Sequence, residues 1–282
     1  GITMCYADLL LRRAGLPMTD SSRVDHLARL MERYLAQRDG YARYSADQVS
    51  RVANESPGSL GDHILSTHLQ GELLGTMLDL RIRNATRGQR SLDDVMRQMM
   101  EDFSGATGFT DRDVETTAEA VCRCKLKAFF AAYVRGHTPI PFDEYLRMIG
   151  MHAQVAWAPA RDDSGQQRPD LRITAWMPPG ARNPALMLVT PESVWGKAGL
   201  HTGDRVLRLD GAPIDDASAF RAAVGKLTIG QPAQLAIERD GRRLGIRVVI
   251  RGYDVPTVTL VANEHTTPRQ QALRQVWTAG VP

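Results

Sequence analysis

One stretch of the sequence, SVWGKAGLHTGDRVLRLDG from Ser193 to Gly211, constrains the fold more than any other. Gly199 permits a tight turn after a short helical segment, because glycine adopts positive φ without steric cost. The run RVLRL that follows alternates like a β-strand, which predicts Leu207 and Leu209 on one face. Asp210-Gly211 comes next, and this dipeptide is favoured in type I′ hairpin turns. The stretch therefore predicts a small β fold with tight turns.

The composition is that of an ordinary globular protein. With 282 residues the chain exceeds the usual size of one domain, and its 43% hydrophobic residues are enough for two cores. The 35 basic and 32 acidic residues give a net charge of only +3, which argues against nucleic acid or an anionic membrane as the main partner. No apolar run approaches the roughly 18 residues of a membrane span. The three cysteines are too sparse for a disulfide framework, and the compartment stays open between periplasmic or exported and cytoplasmic.

The apolar pattern changes near residue 150, which predicts two domains and a tail. Residues 1–150 show helical periodicity in about five to seven segments and predict a helical bundle. Residues 151–253 contain short strands around one helix from Asp216 to Leu227, and they predict a small α+β sandwich or barrel. Residues 254–282 read as a tail, with one strand-like run from Thr257 to Ala262 and a polar remainder.

The helical half carries clear start and packing signals. Its longest apolar segment, from about Asp62 to Thr86, is nonpolar nearly all round, and Gly71 and Gly75 inside it predict close approach by a neighbouring element. Ser91 and Thr110 each begin a further helix as N-caps followed by acidic residues. The first helix starts without a capping residue ahead of it, and we expect the sequence to begin inside a domain.

The stretch from Ser193 to Gly211 resembles the first half of a PDZ domain. The resemblance implies a module that captures an extended peptide or a protein C-terminus by adding it as a strand to a sheet edge. In PDZ domains the loop before the pairing strand directs N–H groups at a terminal carboxylate, and the peptide-binding candidates in this sequence are Asp170, Leu171, Arg172 and Ile173. Asp170 puts a negative charge where that carboxylate would arrive and the usual glycine is missing, which counts against tight C-terminal binding. Arg172 offsets the charge.

The helical half is similar to the C-terminal part of the catalytic domain of glycyl aminopeptidase-like zinc metallopeptidases, in which a PDZ domain follows. The matching segments occur in the same order and are Tyr6 to Leu16, Gly71 to Leu74, Leu78 to Arg83, Ser91 to Arg97, Phe129-Phe130, Tyr133 to Gly136 and Pro141 to Leu146. This resemblance implies a fold with the C-terminal part of a thermolysin-like helical lobe, followed by a PDZ-like small β domain.

The resemblance also implies a zinc site, but only in the parent protein. In the family, an HExxH helix supplies two histidine ligands and the base, and a later helix supplies a glutamate. No HExxH occurs in this sequence, and Gly1-Ile2-Thr3 matches the last three positions of the family's Ser-Glu-Gly-Phe/Ile-Thr pattern. The glutamate would therefore immediately precede Gly1. We expect no cofactor in this chain, zinc in the full-length parent, and the missing N-terminal part of the peptidase as a partner.

His68 is the one catalytic candidate that the resemblance provides. The family places a transition-state tyrosine in a Tyr-x-Lys-Gly pattern, which in this sequence reads His68-Leu69-Gln70-Gly71. A histidine at that position could donate a hydrogen bond to an oxyanion, with shorter reach than a phenol. His68 and Glu72 are also spaced i,i+4 on one helix face, although such a pair more often stabilises the helix.

Two smaller patterns have ordinary interpretations. Cys122 and Cys124 are spaced i,i+2, which on a helix points them to nearly opposite faces and predicts buried small residues, with no metal clamp. Ser193, His201 and Asp204 do not form a catalytic triad, because turn geometry explains Gly203-Asp204 and no nucleophile elbow surrounds Ser193.

The sequence therefore predicts the C-terminal fragment of a zinc aminopeptidase-like protein, without the HExxH zinc site and with a PDZ domain for peptide or chain-terminus recognition. This chain alone is expected to be inactive. The alternative is a non-catalytic interaction module whose PDZ domain serves for packing. A third possibility is an enzyme that uses residues without a recognised pattern.

Overall fold

The computed structural model describes residues 2–16, 20–106 and 108–280, and the chain forms two compact units. The first unit comprises Gly1–Ser50, Ser66–Ala156 and Pro256–Pro282, and the second comprises Arg51–Leu65 and Trp157–Val255.

These units do not follow the predicted ranges 1–150, 151–253 and 254–282 throughout. Arg51–Leu65, expected in the helical domain, folds with the second unit, and Pro256–Pro282, expected as a tail, folds with the first. The reason is tertiary, because both segments make their contacts with residues distant in sequence.

Most of the helices belong to the first unit. In chain order, the helices are α1 (Ile2–Arg13), α2 (Asp20–Leu35), α3 (Arg38–Tyr41), α4 (Ala46–Arg51), α5 (Thr67–Ala85), α6 (Leu92–Phe103), α7 (Asp111–Cys122), α8 (Lys127–Phe129), α9 (Phe142–Leu146), α10 (Val194–Lys197), α11 (Ala217–Val224) and α12 (Pro268–Ala279). Of these, α10 and α11 lie in the second unit. A π-helical segment, Phe130–Arg135, follows α8, and a 3₁₀ turn, Arg147–Ile149, follows α9. Among the described residues, no helix combines the length and the apolar character that crossing a membrane requires.

Helix α5 is the core helix of the first unit. Ser66 caps it by accepting a hydrogen bond from the N–H of Leu69, and the helix is buried over most of its length. Gly75 lies where α1 packs against α5, because a Cβ at this position would stand 2.6 Å from Sγ of Cys5. The predicted close approach of a neighbouring element is thus confirmed at Gly75.

The helix starts predicted at Ser91 and Thr110 are confirmed by complete capping boxes. Ser91 caps α6 with Asp94 as its reciprocal partner, and Thr110 caps α7 with Asp113. Each box satisfies donors that the first helical turn leaves without partners.

The cysteine prediction was wrong in its geometry. Helix α7 ends at Cys122, and Arg123 takes a left-handed conformation with φ of 50°. Cys124 therefore lies outside the helix, and the two thiols are joined as the disulfide Cys122–Cys124. The bridge closes a very short loop, so it does not tie separate elements together.

The second unit is an antiparallel sheet with two short helices. Its strands are β2 (Ile173–Trp176), β3 (Ala185–Leu188), β4 (Arg205–Leu209), β5 (Ala212–Pro213), β6 (Pro232–Arg239) and β7 (Arg242–Val249). Two further strands, β1 (Met151–Pro159) and β8 (Asp254–Ala262), pair with each other in a separate sheet, and most of their residues belong to the first unit. The order in the main sheet is β2-β3-β4-β6-β7, and β5 pairs with β4. The core is apolar and includes Leu186, Trp195, Val206, Phe220 and Ile237.

The turns of this sheet were predicted correctly, but the face of one strand was not. Asp210-Gly211 and Asp240-Gly241 all have positive φ, as a type I′ turn requires. In β4, a bulge between Val206 and Arg208 shifts the register, and the fully buried residue is Val206. Leu207, predicted to share the buried face of Leu209, is therefore only half-buried.

The C-terminal segment completes the first unit. The predicted strand Thr257–Ala262 lies within β8. The polar remainder, however, contains α12, which Thr267 caps and which buries Leu273 and Trp277. Arg23 of α2 lies 4.7 Å from the centre of the Trp277 ring and donates to the Trp277 carbonyl.

Candidate functional site

Strand β2 forms one edge of the main sheet, and within the described residues it pairs with a strand on one side only. It pairs with β3 in the register Ile173↔Leu188 to Trp176↔Ala185. The Val189 N–H donates to the Arg172 carbonyl, so backbone groups of residues 172, 174 and 176 face β3. By the alternation of an antiparallel strand, the backbone groups of Ile173 and Ala175 face the open edge.

Helix α11 packs beside this edge strand. Asp216 caps the helix, and its apolar side buries Phe220 and Val224 in the same core as Ile173 and Ala175. The outer residues of α11 remain exposed. An edge strand beside a helix is the arrangement that strand addition requires: unpaired backbone groups on one wall and side chains on the other.

The loop that leads into β2 uses its own N–H groups. The Leu171 N–H donates to the Pro169 carbonyl at 3.0 Å, and the Ile173 N–H donates to the Leu171 carbonyl at 2.7 Å. Between them, the Arg172 N–H donates to Oδ1 of Asp170 at 3.2 Å. All three donors therefore already have acceptors within the loop.

Asp170 is the centre of this loop and is only 1% exposed. Its carboxylate accepts from Nε and Nη2 of Arg172, each at 2.9 Å, and from the Val194 N–H at 3.1 Å. Its carbonyl accepts from Nε1 of Trp195 at 2.8 Å, and its N–H donates to the Arg251 carbonyl at 2.7 Å. Asp170 thus links the loop to α10 and to the end of β7.

Arg172 lies in the loop before β2, which contains no glycine between Pro169 and Ile173. Its guanidinium binds the Asp170 carboxylate and lies 4.5 Å from the centre of the Tyr253 ring. A cavity of about 530 Å³ lies beside this cluster and also receives Lys197, Glu192 and Arg251. The structure therefore brings the predicted pair Asp170 and Arg172 together, and the sequence did not reveal Trp195 and Tyr253 as their partners.

His68 lies in the first turn of α5 with its side chain exposed. Glu72 is buried, and its Oε1 is 2.8 Å from Nε2 of His26 on α2. The structure therefore pairs Glu72 with His26, which sequence spacing could not reveal because the two lie on different helices. The oxyanion role of His68 stays a prediction.

Cys5 lies close to the same glutamate. Its thiol donates to the backbone carbonyl of Glu72, 3.1 Å away. Burial, reinforced by the negative charge of Glu72, raises the pKa of Cys5 to about 12. Cys5 is therefore a protonated, unreactive thiol at neutral pH.

The residues present do not fit a zinc site. Within the described part of the chain, no three His, Cys, Asp or Glu side chains are grouped so that they could hold a metal ion. His68 and Glu72, which the sequence spaces i,i+4 on α5, have different surroundings, since His68 is exposed and Glu72 is buried against His26.

The first unit carries an apolar cavity of about 610 Å³ along α5. Gly71, Leu74 and Leu78 of α5 line this cavity, together with Ile2, Met96 and Phe130 from other segments. Met96 and Phe109 at this cavity are exposed. An open apolar surface of this kind is typical of a ligand cleft or of an interface with another polypeptide.

Comparison with known proteins identifies the β domain and the fold. The PDZ domain family matches residues 181–250. Periplasmic serine endoprotease DegP of Escherichia coli K12 is 35% identical over 63 residues, which are 22% of this chain and 13% of that protein. The DegP of Salmonella typhimurium LT2 is 33% identical over the same length.

Among solved structures, an aminopeptidase N family protein from Idiomarina loihiensis is similar over 96% of this chain and 47% of its own, with a TM-score of 0.55 and 17% identity. A further similarity, with a TM-score of only 0.25 and 18% identity, joins 37% of this chain to 92% of an HtrA3 PDZ domain bound to a phage-derived ligand. The chain therefore spans less than half of that aminopeptidase and a small part of DegP. The predicted architecture, a helical bundle followed by a PDZ domain, is confirmed, with a fold like that of an aminopeptidase.

Proposed function

We propose that this chain is the C-terminal, PDZ-bearing part of a zinc aminopeptidase-like protein, and that it recognises extended peptides without metal chemistry of its own. The observation that carries the proposal is the combination of an aminopeptidase-like fold over 96% of the chain with a PDZ domain at residues 181–250. The missing N-terminal part of the peptidase would supply the HExxH histidines and the glutamate, and with them the metal.

The helical unit would form one wall of the substrate cleft. The open apolar cavity along α5 supports this role, since peptide side chains bind in clefts with predominantly apolar walls. His68 on the same helix would serve as the hydrogen-bond donor to the oxyanion once the catalytic part is joined.

The PDZ domain would capture peptide by strand addition to β2. The carbonyl of Ile173 and both backbone groups of Ala175 face the open edge, so an extended peptide can pair with them, and α11 can contact alternate side chains of the peptide. Main-chain pairing gives affinity with little dependence on peptide sequence. Leu171, Arg172 and Ile173 lie at one end of this edge and would contact the end of the paired segment.

The peptidase part of the proposal is tested by comparing this chain with a form extended upstream. Zinc content and aminopeptidase turnover are measured for both under the same conditions. We expect the extended form to bind zinc and to hydrolyse N-terminal residues, and this chain to do neither. An extended form with neither zinc nor turnover would contradict the proposal.

Peptide capture is tested with two variants of Ala175. Ala175→Pro removes one N–H at the open edge without removing a bond to β3, while the control Ala175→Gly keeps that N–H. Binding of random peptide libraries is titrated by fluorescence anisotropy, and we expect Ala175→Pro to lose most of the binding that Ala175→Gly retains. If the unmodified chain binds no peptide, the alternative of a PDZ fold used for packing is favoured.

A further inference from the structure

The loop before β2 is closed to a terminal carboxylate by three hydrogen bonds. A PDZ carboxylate site needs N–H groups that point outward. In this loop the Leu171 N–H donates to the Pro169 carbonyl, and the Ile173 N–H donates to the Leu171 carbonyl. The Arg172 N–H donates to the Asp170 carboxylate. An incoming carboxylate would have to displace all three acceptors. It would lose its own hydration without gaining free donors in return.

The charge at this end of the edge also disfavours an anion. Asp170 is buried and forms a salt bridge with Arg172, so the guanidinium of Arg172 already has an acidic partner. A second carboxylate at this point would compete with the Asp170 carboxylate for the Arg172 guanidinium. The two carboxylates would also repel each other. A neutral peptide backbone meets no such penalty.

The closed loop is fixed from several sides. The Asp170 carboxylate holds the start of α10 through the Val194 N–H, and the Asp170 N–H is held by the Arg251 carbonyl. The Arg172 side chain is further held against the Tyr253 ring. Opening the loop would therefore break contacts to α10, to the end of β7 and to Tyr253 together.

We infer that the β2 edge takes an internal extended segment of a polypeptide, whose chain continues past the loop, and that it does not read a free C-terminus. This inference rests on the proposed peptide capture and specifies its ligand class. The absence of glycine at position 172 fits this assignment, since a side chain there supplies the guanidinium that holds Asp170. The ligand would be recognised by backbone pairing along β2 and by side-chain contacts with α11.

The test uses the full chain and two random peptide libraries of equal length. One library ends in a free carboxylate, and the other is embedded between flexible residues with no terminus near the random positions. Selected sequences are then synthesised as free acid, as amide, and with a four-residue C-terminal extension. We expect the embedded library to yield binders, with Kd values that change by less than about twofold among the three forms.

Two outcomes separate this inference from the proposed function. Binding that falls at least about tenfold on amidation or extension would overturn the inference and leave peptide capture intact. Failure of both libraries would remove peptide capture, and the inference with it.

A double variant gives a second measurement. Asp170→Asn with Arg172→Gly removes the ion pair and places a glycine in the loop, and circular dichroism checks that the variant is folded. We expect this variant to prefer the free acid over the amide by at least about threefold. A folded variant with the same acid-to-amide ratio as the unmodified chain would show that these loop contacts do not exclude the terminus, and would contradict the inference.

Discussion

Oδ2 of Asp62 lies 2.8 Å from Nδ1 of His201, a residue 139 positions further along the chain. Asp62 also accepts a 2.7 Å hydrogen bond from the Thr202 N–H through Oδ1. A third contact joins the Ile64 N–H to the Val189 carbonyl at 3.1 Å. The PDZ-containing unit is therefore completed by a segment that precedes α5 in the sequence.

Replacement of Asp62 by Ala should destabilise the second unit. The change removes the acceptor of two hydrogen bonds and leaves the Thr202 N–H without its partner, at a cost of about 1–2 kcal/mol in the free energy of unfolding. Hydrogen exchange of peptides from β3 and β4 measures the effect within this unit. The exposed Asp163 provides the control, Asp163→Ala. Equal changes in hydrogen exchange in the two variants would contradict a specific stabilising role of Asp62.

The stabilisation by Asp62 should depend on pH. Burial alone raises the pKa of this carboxyl, but the hydrogen bonds from His201 and Thr202 outweigh burial and hold the pKa below its usual value. A carboxyl whose pKa is lower in the folded than in the unfolded state stabilises the folded state fully at pH values above its unfolded pKa, near 3.9. This stabilisation is lost as the pH falls through the folded pKa. The difference in unfolding free energy between the unmodified chain and Asp62→Asn should thus be constant from about pH 5 to 6 and shrink below about pH 4. Urea denaturation at each pH measures it, and a difference that grows on acidification would contradict this sign.

Substitution of Gly75 by Ala should destabilise the helical unit although alanine favours helix. The new Cβ would lie 2.6 Å from Sγ of Cys5, and such overpacking costs about 1–3 kcal/mol, against a gain of about 1 kcal/mol in helix propensity. Urea denaturation measures the net loss. The double variant Cys5→Ala with Gly75→Ala should recover most of it, because the clashing sulfur is gone. No recovery would contradict the packing of α1 at this glycine.

The disulfide should be visible in cysteine labelling. The chain has three cysteines, of which Cys122 and Cys124 are joined and Cys5 is free. Iodoacetamide added to the unfolded, unreduced chain should attach one label, and three after reduction. Mass spectrometry counts the labels. Three labels before reduction would show that the bridge is absent.

Much of the PDZ-containing unit could be predicted from the sequence, because its signals are local. The hairpin turns at Asp210-Gly211 and Asp240-Gly241 need only residues that accept positive φ, and alternation located most strands. Alternation failed in β4, where the bulge after Val206 breaks the period of two. A bulge without its own glycine gives no local warning.

Of the features missed at the level of the sequence, one carried a local signal and another depends on contacts that only the fold reveals. The polar composition of α12 concealed a helix, although Thr267, Pro268 and Gln270 form a recognisable helix start. At the candidate site, the sequence identified Asp170 and Arg172 as opposite charges, but only the fold shows that they bind each other and thereby occupy the loop's own donors. Whether these residues contact peptide stays a prediction.

The interruption of the helical unit by the PDZ-containing unit has a consequence for biosynthesis. The chain leaves the first unit within β1 and returns to it within β8, and α12 with its buried Trp277 follows β8. During translation, every strand of the main sheet and the earlier segment Arg51–Leu65 leave the ribosome before α12 has been made. The contact between Arg23 and Trp277 of α12 can therefore form only afterwards. The second unit can thus reach its native state before the first unit, which is not complete until α12 has been made.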